Sequence, residues 1–148
     1  MSVRSFKDLR VYESAAELRR GVFEASKGWP KEERYALTDQ VRRSSRAVGA
    51  NLAEAWSKRR YPRHFVAKLT DAHGEAEETG VWLDTARECG YLDDDGHGAL
   101  VSLVRATAGG LATMIRQSEK WSGGADTGDA REPQVPYGSN AAPPDDVF

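Results

Sequence analysis

Disulfides are the first thing this chain lacks. Its single cysteine, Cys89, leaves no intrachain pairing, and a reducing, cytoplasmic setting is the simplest expectation. Long hydrophobic runs are missing as well. The N-terminal stretch MSVRSFKDLRVYESAAELRR carries a charge every few residues, which excludes an ordinary signal peptide. No later segment comes near the roughly 18 apolar residues of a membrane span, so no membrane partner is expected. No alternating strand pattern survives a count. The one Gly-rich run, GGADTG at 123–128, lacks the lysine and following helix of a phosphate-binding loop. His73 and Glu77 stand four residues apart as half a metal site, with no second His–carboxylate pair to complete it. Cys89 reads as an inert thiol, and Glu77 and Glu78 are adjacent along a helix, so they point to different faces. These absences together predict a non-enzymatic protein with no metal and no cofactor.

What is present is helical periodicity. A length of 148 residues suits one domain with a real core. Phe6, Leu9, Tyr12, Ala16, Leu18, Val22 and Phe23 trace one helical face that ends at Gly28-Trp29-Pro30. Pro30 opens the next helix, with Glu32 and Glu33 in its first turn. Leu37, Val41, Ser44, Val48, Leu52 and Ala55 continue it to Tyr61-Pro62 as about seven turns. A third helix carries Phe65, Leu69, Ala72, Ala76, Thr79, Leu83 and Ala86 and stops at Cys89-Gly90, where Gly90 fits a left-handed cap. After the turn GYLDDDGH, a fourth helix runs through Leu100, Leu103, Val104, Thr107, Leu111, Met114, Ile115 and Ser118 to Trp121. The pattern predicts an all-α fold, an antiparallel up-down four-helix bundle over residues 1–121. Residues 122–148, rich in Gly, Pro, Ala and Asp without period, are expected to form a disordered acidic tail.

Charge is segregated along this pattern. The net charge is −2, yet Lys31 to Lys68 holds ten basic and four acidic residues, and Glu75 to Asp95 holds eight acidic residues against Arg87 alone. Local balances of +6 and −7 suit either a polyanion-binding face or contacts between copies of the chain. Arg42, Arg43 and Arg46 fall on the flank and outside of the second helix. Lys58, Arg59, Arg60 and Arg63 form a second cluster at its end, with His64 beyond. Together they can neutralise several backbone phosphates, with Tyr61 or Trp56 for stacking on an unpaired base. The plainer reading is a solvated arginine face, with basic residues favoured at a helix C-terminus by the macrodipole alone.

Three further residues read as structural. Gly49 in mid-helix carries a propensity cost of about 1 kcal/mol relative to Ala, so a close backbone approach or a kink is expected there, and Gly109-Gly110 repeats the theme. Asn51 lies beside the core stripe and is expected to bond a neighbouring helix end. Glu54 follows in the same small-residue run, Ala47 to Ala55.

The run WPKEERYALTDQVRRSSRAVGANLAEAW resembles the signature of the four-helix-bundle proteins encoded in intervening sequences of bacterial 23S rRNA genes. That signature reads aromatic-Pro-Lys-x-Glu, then Leu-x-x-Gln-Ile-Arg-Arg, then Ile-Pro-x-Asn-Ile-Ala-Glu-Gly. Trp29-Pro30-Lys31, Glu33, Leu37, Gln40-Val41-Arg42-Arg43 and Asn51-Leu52-Ala53-Glu54 fall on it. The likeness extends from about Phe6 to Trp121. Gly49 stands in the motif's proline neighbourhood and Ala55 where the motif has glycine, two departures that bear on the kink and on subunit contacts. Members of this family are similar to the accessory protein of diversity-generating retroelements, a barrel-shaped homopentamer that binds nucleic acid and a reverse transcriptase. The resemblance therefore implies a ring of five copies, a reverse transcriptase as a partner, and no catalytic residue. Two functions follow as expectations: binding of nucleic acid, RNA first, through the basic face of the second helix; or a protein-interaction scaffold in which the charged segments pair between chains.

Overall fold

The computed structural model describes residues 3–122. The described residues are helical and contain no strand. Four long helices carry the fold: α1 (Arg10–Ser26), α2 (Asp39–Ser57), α3 (Pro62–Glu88) and α4 (Asp94–Arg116), followed by one short turn of helix, α5 (Ser118–Trp121). The expected disordered tail lies outside the described residues, apart from Ser122, whose hydroxyl donates to the Ser118 carbonyl at 2.7 Å.

The boundaries follow local chemistry. Ser5 caps a short 3-10 turn, Phe6–Asp8, in a reciprocal capping box with Asp8. Pro62 occupies the first turn of α3, where a missing N–H leaves nothing unsatisfied. Gly90 adopts φ 80°, and the Tyr91 amide bonds the Ala86 carbonyl at 2.8 Å while the Gly90 amide bonds Arg87 at 2.9 Å. This is the Schellman closure expected of a glycine at that place. Helix α4 begins six residues before Leu100, because the Asp93 carboxylate accepts from the Gly96 amide at 2.7 Å and Asp94 and Asp95 favour its first turn. The GYLDDDGH turn is therefore shorter than its composition suggests.

The second helix departs from the expected single run. Pro30 is extended (ψ 144°), Lys31–Glu33 form a 3-10 turn, and Arg34–Thr38 form a π-helical turn before α2 starts. A wide turn re-phases the helix. That lets the neighbours Leu37 and Thr38 both face inward, at 5% and 7% exposure.

Each long helix packs against two others, α1 on α2 and α4, and α3 on α2 and α4. Glu54, late in α2, pairs with Lys68, early in α3, and Ser44, early in α2, bonds Thr79, late in α3. Buried side chains form two apolar clusters. One gathers Leu52, Phe65, Leu69 and Leu111, the other Leu18, Val22, Val41, Leu83 and Val104. Between them in sequence on their helices sit the buried hydroxyls of Ser44, Thr79 and Thr107. Ser44 and Thr79 share a 2.8 Å hydrogen bond, and Thr107 donates to the Leu103 carbonyl at 2.7 Å. Satisfied in this way, the polar groups cost little and tie α2 to α3.

Helix α4 corrects the expectation that no segment approaches a membrane span. By length and composition it is apolar enough to cross one, with a window of mean hydropathy 1.4, 39% of it buried. Its Leu100, Val104, Leu111 and Met114 face is packed into the core, while Ala99, Ser102, Ala106 and Gly109 are exposed.

Of the glycines expected at close helix approaches, Gly110 meets the expectation and Gly49 does not. A Cβ on Gly49 would meet only Tyr12 Cε2 at 3.5 Å, an ordinary contact, whereas one on Gly110 would meet Val11 Cγ2 at 3.0 Å and Cβ at 3.1 Å. Valine is stiff at χ1 and cannot step aside. Gly49→Ala is therefore expected to stabilise the protein by about 0.5–1 kcal/mol through helix propensity. Gly110→Ala is expected to destabilise it by about 1 kcal/mol or more through overpacking. Thermal melts shifting in opposite directions check the pair, and a common direction would refute it.

Candidate nucleic-acid interface

The seven predicted cations do not form one surface. Arg42 and Arg46 turn toward α1, where their guanidinium carbons lie 4.7 and 5.7 Å from the centre of the Phe23 ring. Lys27 Nζ stands 5.0 Å from the same ring and pairs with Glu24 at 3.0 Å. Arg42 Nε donates to Ser26 Oγ at 2.8 Å, and Ser26 Oγ donates to the Phe23 carbonyl at 3.2 Å. The end of α1 thus orients the arginine. Phe23 is 37% exposed, so it does not belong to the core face assigned to it. Its neighbour Val22, at 1% exposure, is the one that points inward. Three cations around one exposed ring make a compact basic and aromatic surface.

Arg43, between them in sequence, faces the other way. Its guanidinium bonds Glu78 at 2.8 and 2.9 Å and Glu75 at 3.3 Å. The Glu78 and Glu75 hydrogen bonds hold the Arg43 pKa above the usual arginine value. Burial pushes the Glu78 carboxyl up, but the bonds from Arg43 and Trp82 outweigh it and the net shift is down. Arg43 is thus an α2–α3 clamp and not a free phosphate ligand. Part of the charge segregation along the chain is neutralised within it.

The second cluster sits at the far end of α2, about 18 Å along the axis from Arg46. Arg59 is committed to structure: its guanidinium stacks on Trp56 at 3.7 Å, and its Nε donates to the Trp56 carbonyl at 3.1 Å in the last turn of α2. Trp56 is 8% exposed and packs near Trp121 with ring centres 5.9 Å apart, so it offers no face to a base. Tyr61 is half-buried, edge-on to His64. Lys58 is half-buried, and Arg60 and Arg63 are exposed.

The structural residues resolve unevenly. Glu54 binds Lys68 at 2.9 Å, and that hydrogen bond lowers the Glu54 pKa and raises that of Lys68. Asn51 does not reach a neighbouring helix end, because its Nδ2 donates to Ala47 O in its own helix at 3.0 Å. A half-buried amide is most cheaply satisfied one turn back. A cleft of about 1050 Å³ opens between the segment before α1 and the second half of α4, lined by Val11, Gly110, Met114 and Trp121 among others. None of the seven cations lines it.

Carboxylates with depressed pKa values make stability depend on pH. Glu54 and Glu78 are lowered when folded, so their contribution is present above the unfolded value of about 4.3 and is lost as pH falls through the folded values. Both pairs are partly exposed, which limits each to about 0.2–1 kcal/mol. Glu54→Gln with Glu78→Gln is expected to flatten the acid limb of a stability-versus-pH curve between about pH 5 and 2. An unchanged slope would count against these pairs.

Fold and surface define the class of the molecule: an all-helical protein in which Lys27, Arg42 and Arg46 gather around the Phe23 ring between α1 and α2. Residues 7–112 match the profile of the 23S rRNA-intervening sequence protein. The chain belongs to that family. Among solved structures, a protein of unknown function from the S23 ribosomal protein family of Bacteroides thetaiotaomicron VPI-5482 superposes with a TM-score of 0.65. It is 23% identical, and the match covers 72% of this chain and 95% of that one, a likeness that speaks to fold. No curated protein matches.

Sequence reasoning missed Phe23 and Lys27, which sit on a different helix from the arginines they join. The adjacent pair Val22-Phe23 gave no decisive signal, since pairs such as Ala15-Ala16 and Ala55-Trp56 are buried at both positions.

Proposed function

We propose that this protein is a non-enzymatic, homo-oligomeric antiparallel up-down four-helix bundle that binds nucleic acid, RNA first, through the α1–α2 face. The observation that carries this is the Phe23 surface, where Lys27, Arg42 and Arg46 converge on an exposed ring. Arg60 and Arg63 add exposed charge at the far end of α2. Repetition of a modest footprint in an assembly of five would raise avidity without new contacts, and an accessory role beside a reverse transcriptase fits such a particle. Labelled RNA titrated by fluorescence anisotropy tests the reading. Binding is expected to weaken steeply between about 50 and about 200 mM salt, as phosphate contacts require. No binding at the lower salt overturns it.

One observation favours the alternative of a protein-interaction scaffold. The small-residue face of α4, with Ala99, Ser102, Ala106 and Gly109 exposed on an otherwise apolar helix, suits close packing against another helix. On this reading nucleic acid is incidental, and the same titration separates the two.

A further inference from the structure

Cations alone would serve any polyanion, so the aromatic side chains decide what kind. Three large hydrophobic side chains are exposed among the described residues, and two are aromatic: Phe23 at 37% and Tyr35 at 81%. Both stand beside cations. Lys27, Arg42 and Arg46 surround Phe23, and the Arg34 guanidinium lies 5.6 Å from the centre of the Tyr35 ring. Tyr35 is carried on the outside of the π-helical turn, Arg34–Thr38. Eleven residues separate it from Arg46, an axial distance of about 16 Å. An uncovered ring is costly to keep in water, and a π-helical turn is a rare way to present one.

A duplex hides its base faces and presents phosphates, sugars and groove edges, so exposed rings add little to binding it. A single strand displays base faces, each of which can stack on an aromatic ring whatever its identity, while neighbouring cations take the phosphates. We infer that the α1–α2 face holds single-stranded nucleic acid, with bases stacked on Phe23 and Tyr35 and the backbone held by Lys27, Arg42 and Arg46. This rests on the nucleic-acid reading above and narrows it to unpaired strands of tolerant sequence.

The experiment is anisotropy on the full chain at low salt with one mixed-sequence oligonucleotide as single-stranded RNA, single-stranded DNA and RNA duplex. The native chain is expected to bind a single strand at least about tenfold more tightly than the duplex. Phe23→Leu and Tyr35→Leu keep apolar bulk and all cations. Each is expected to weaken single-strand binding about tenfold, the scale of one base–aromatic stack, and for Tyr35→Leu duplex binding and the salt slope stay unchanged. Tyr35 is almost wholly exposed, so its variant decides the matter even where Phe23→Leu disturbs packing. Duplex binding as tight as single-strand binding, or native affinity in the Tyr35→Leu chain, overturns the inference while leaving nucleic-acid binding standing. Failure of all three probes to bind overturns both. Preference for RNA or for DNA single strands supports it either way and identifies the sugar.

Discussion

Reversing Arg42 and Arg46 to glutamate is expected to weaken RNA binding at least about 100-fold near 0.1 M salt. Each phosphate contact on a single strand contributes roughly 0.7 to the slope of log affinity against log salt. Loss of two should therefore lower the magnitude of that slope by about 1.4. Reversal adds repulsion beyond neutralisation, because it leaves Lys27 as the only cation beside Phe23 while Glu24 stays close. Anisotropy titrations across salt measure both quantities, with a thermal melt of the same variant as the folding control. Arg42→Glu also removes the hydrogen bond to Ser26, a partly buried contact whose loss should cost about 1 kcal/mol. Arg43→Glu is the informative contrast. It would place a third carboxylate beside Glu75 and Glu78, so it should lower stability rather than act on binding alone. Native affinity in the Arg42→Glu, Arg46→Glu chain would remove the α1–α2 face from any interface.

The largest stability effect is expected at Phe65, which has the greatest volume among the fully buried side chains. It packs in the cluster that contains Leu52, Leu69 and Leu111. Phe65→Ala removes most of a buried ring and leaves a cavity that helices α2, α3 and α4 can only partly close. A loss of about 3–5 kcal/mol is expected. Against a total of about 5–15 kcal/mol this brings the chain close to unfolding at ordinary temperature. Urea denaturation at constant m-value measures it. A loss under about 1 kcal/mol would show that the neighbouring helices collapse into the gap and that the two apolar clusters are less rigid than their burial implies.

Much of the fold was legible because helical periodicity is a local property. Leu37, Val41, Ser44, Val48, Leu52 and Ala55 are all buried as their spacing requires, and Gly90 closes α3 with the positive φ that glycine allows. The misses have physical causes. The π-helical turn before α2 is a matter of phase, which a pattern of three- and four-residue spacings does not register. Gly49 looked like a packing glycine, but which glycine lies under a neighbouring helix depends on helix pairing. Gly110 meets Val11 from 99 positions away in the chain.

The candidate surface was legible only as charge. Composition and spacing by themselves determined that α2 would be basic on its outside and α3 acidic, since residue type and helical period suffice for that. They also determined the helices, the α3 cap and the family, whose signature is a run of contiguous residues. Which arginines remain available was decided by tertiary structure alone. Arg42 and Arg43 are neighbours in sequence, yet about 100° of helical rotation sends one to Phe23 on α1 and the other to Glu75 and Glu78 on α3. A side chain's chemistry is set by what it touches, and those partners lie 19 and more than 30 residues away. Packing of the helices against one another brings them together.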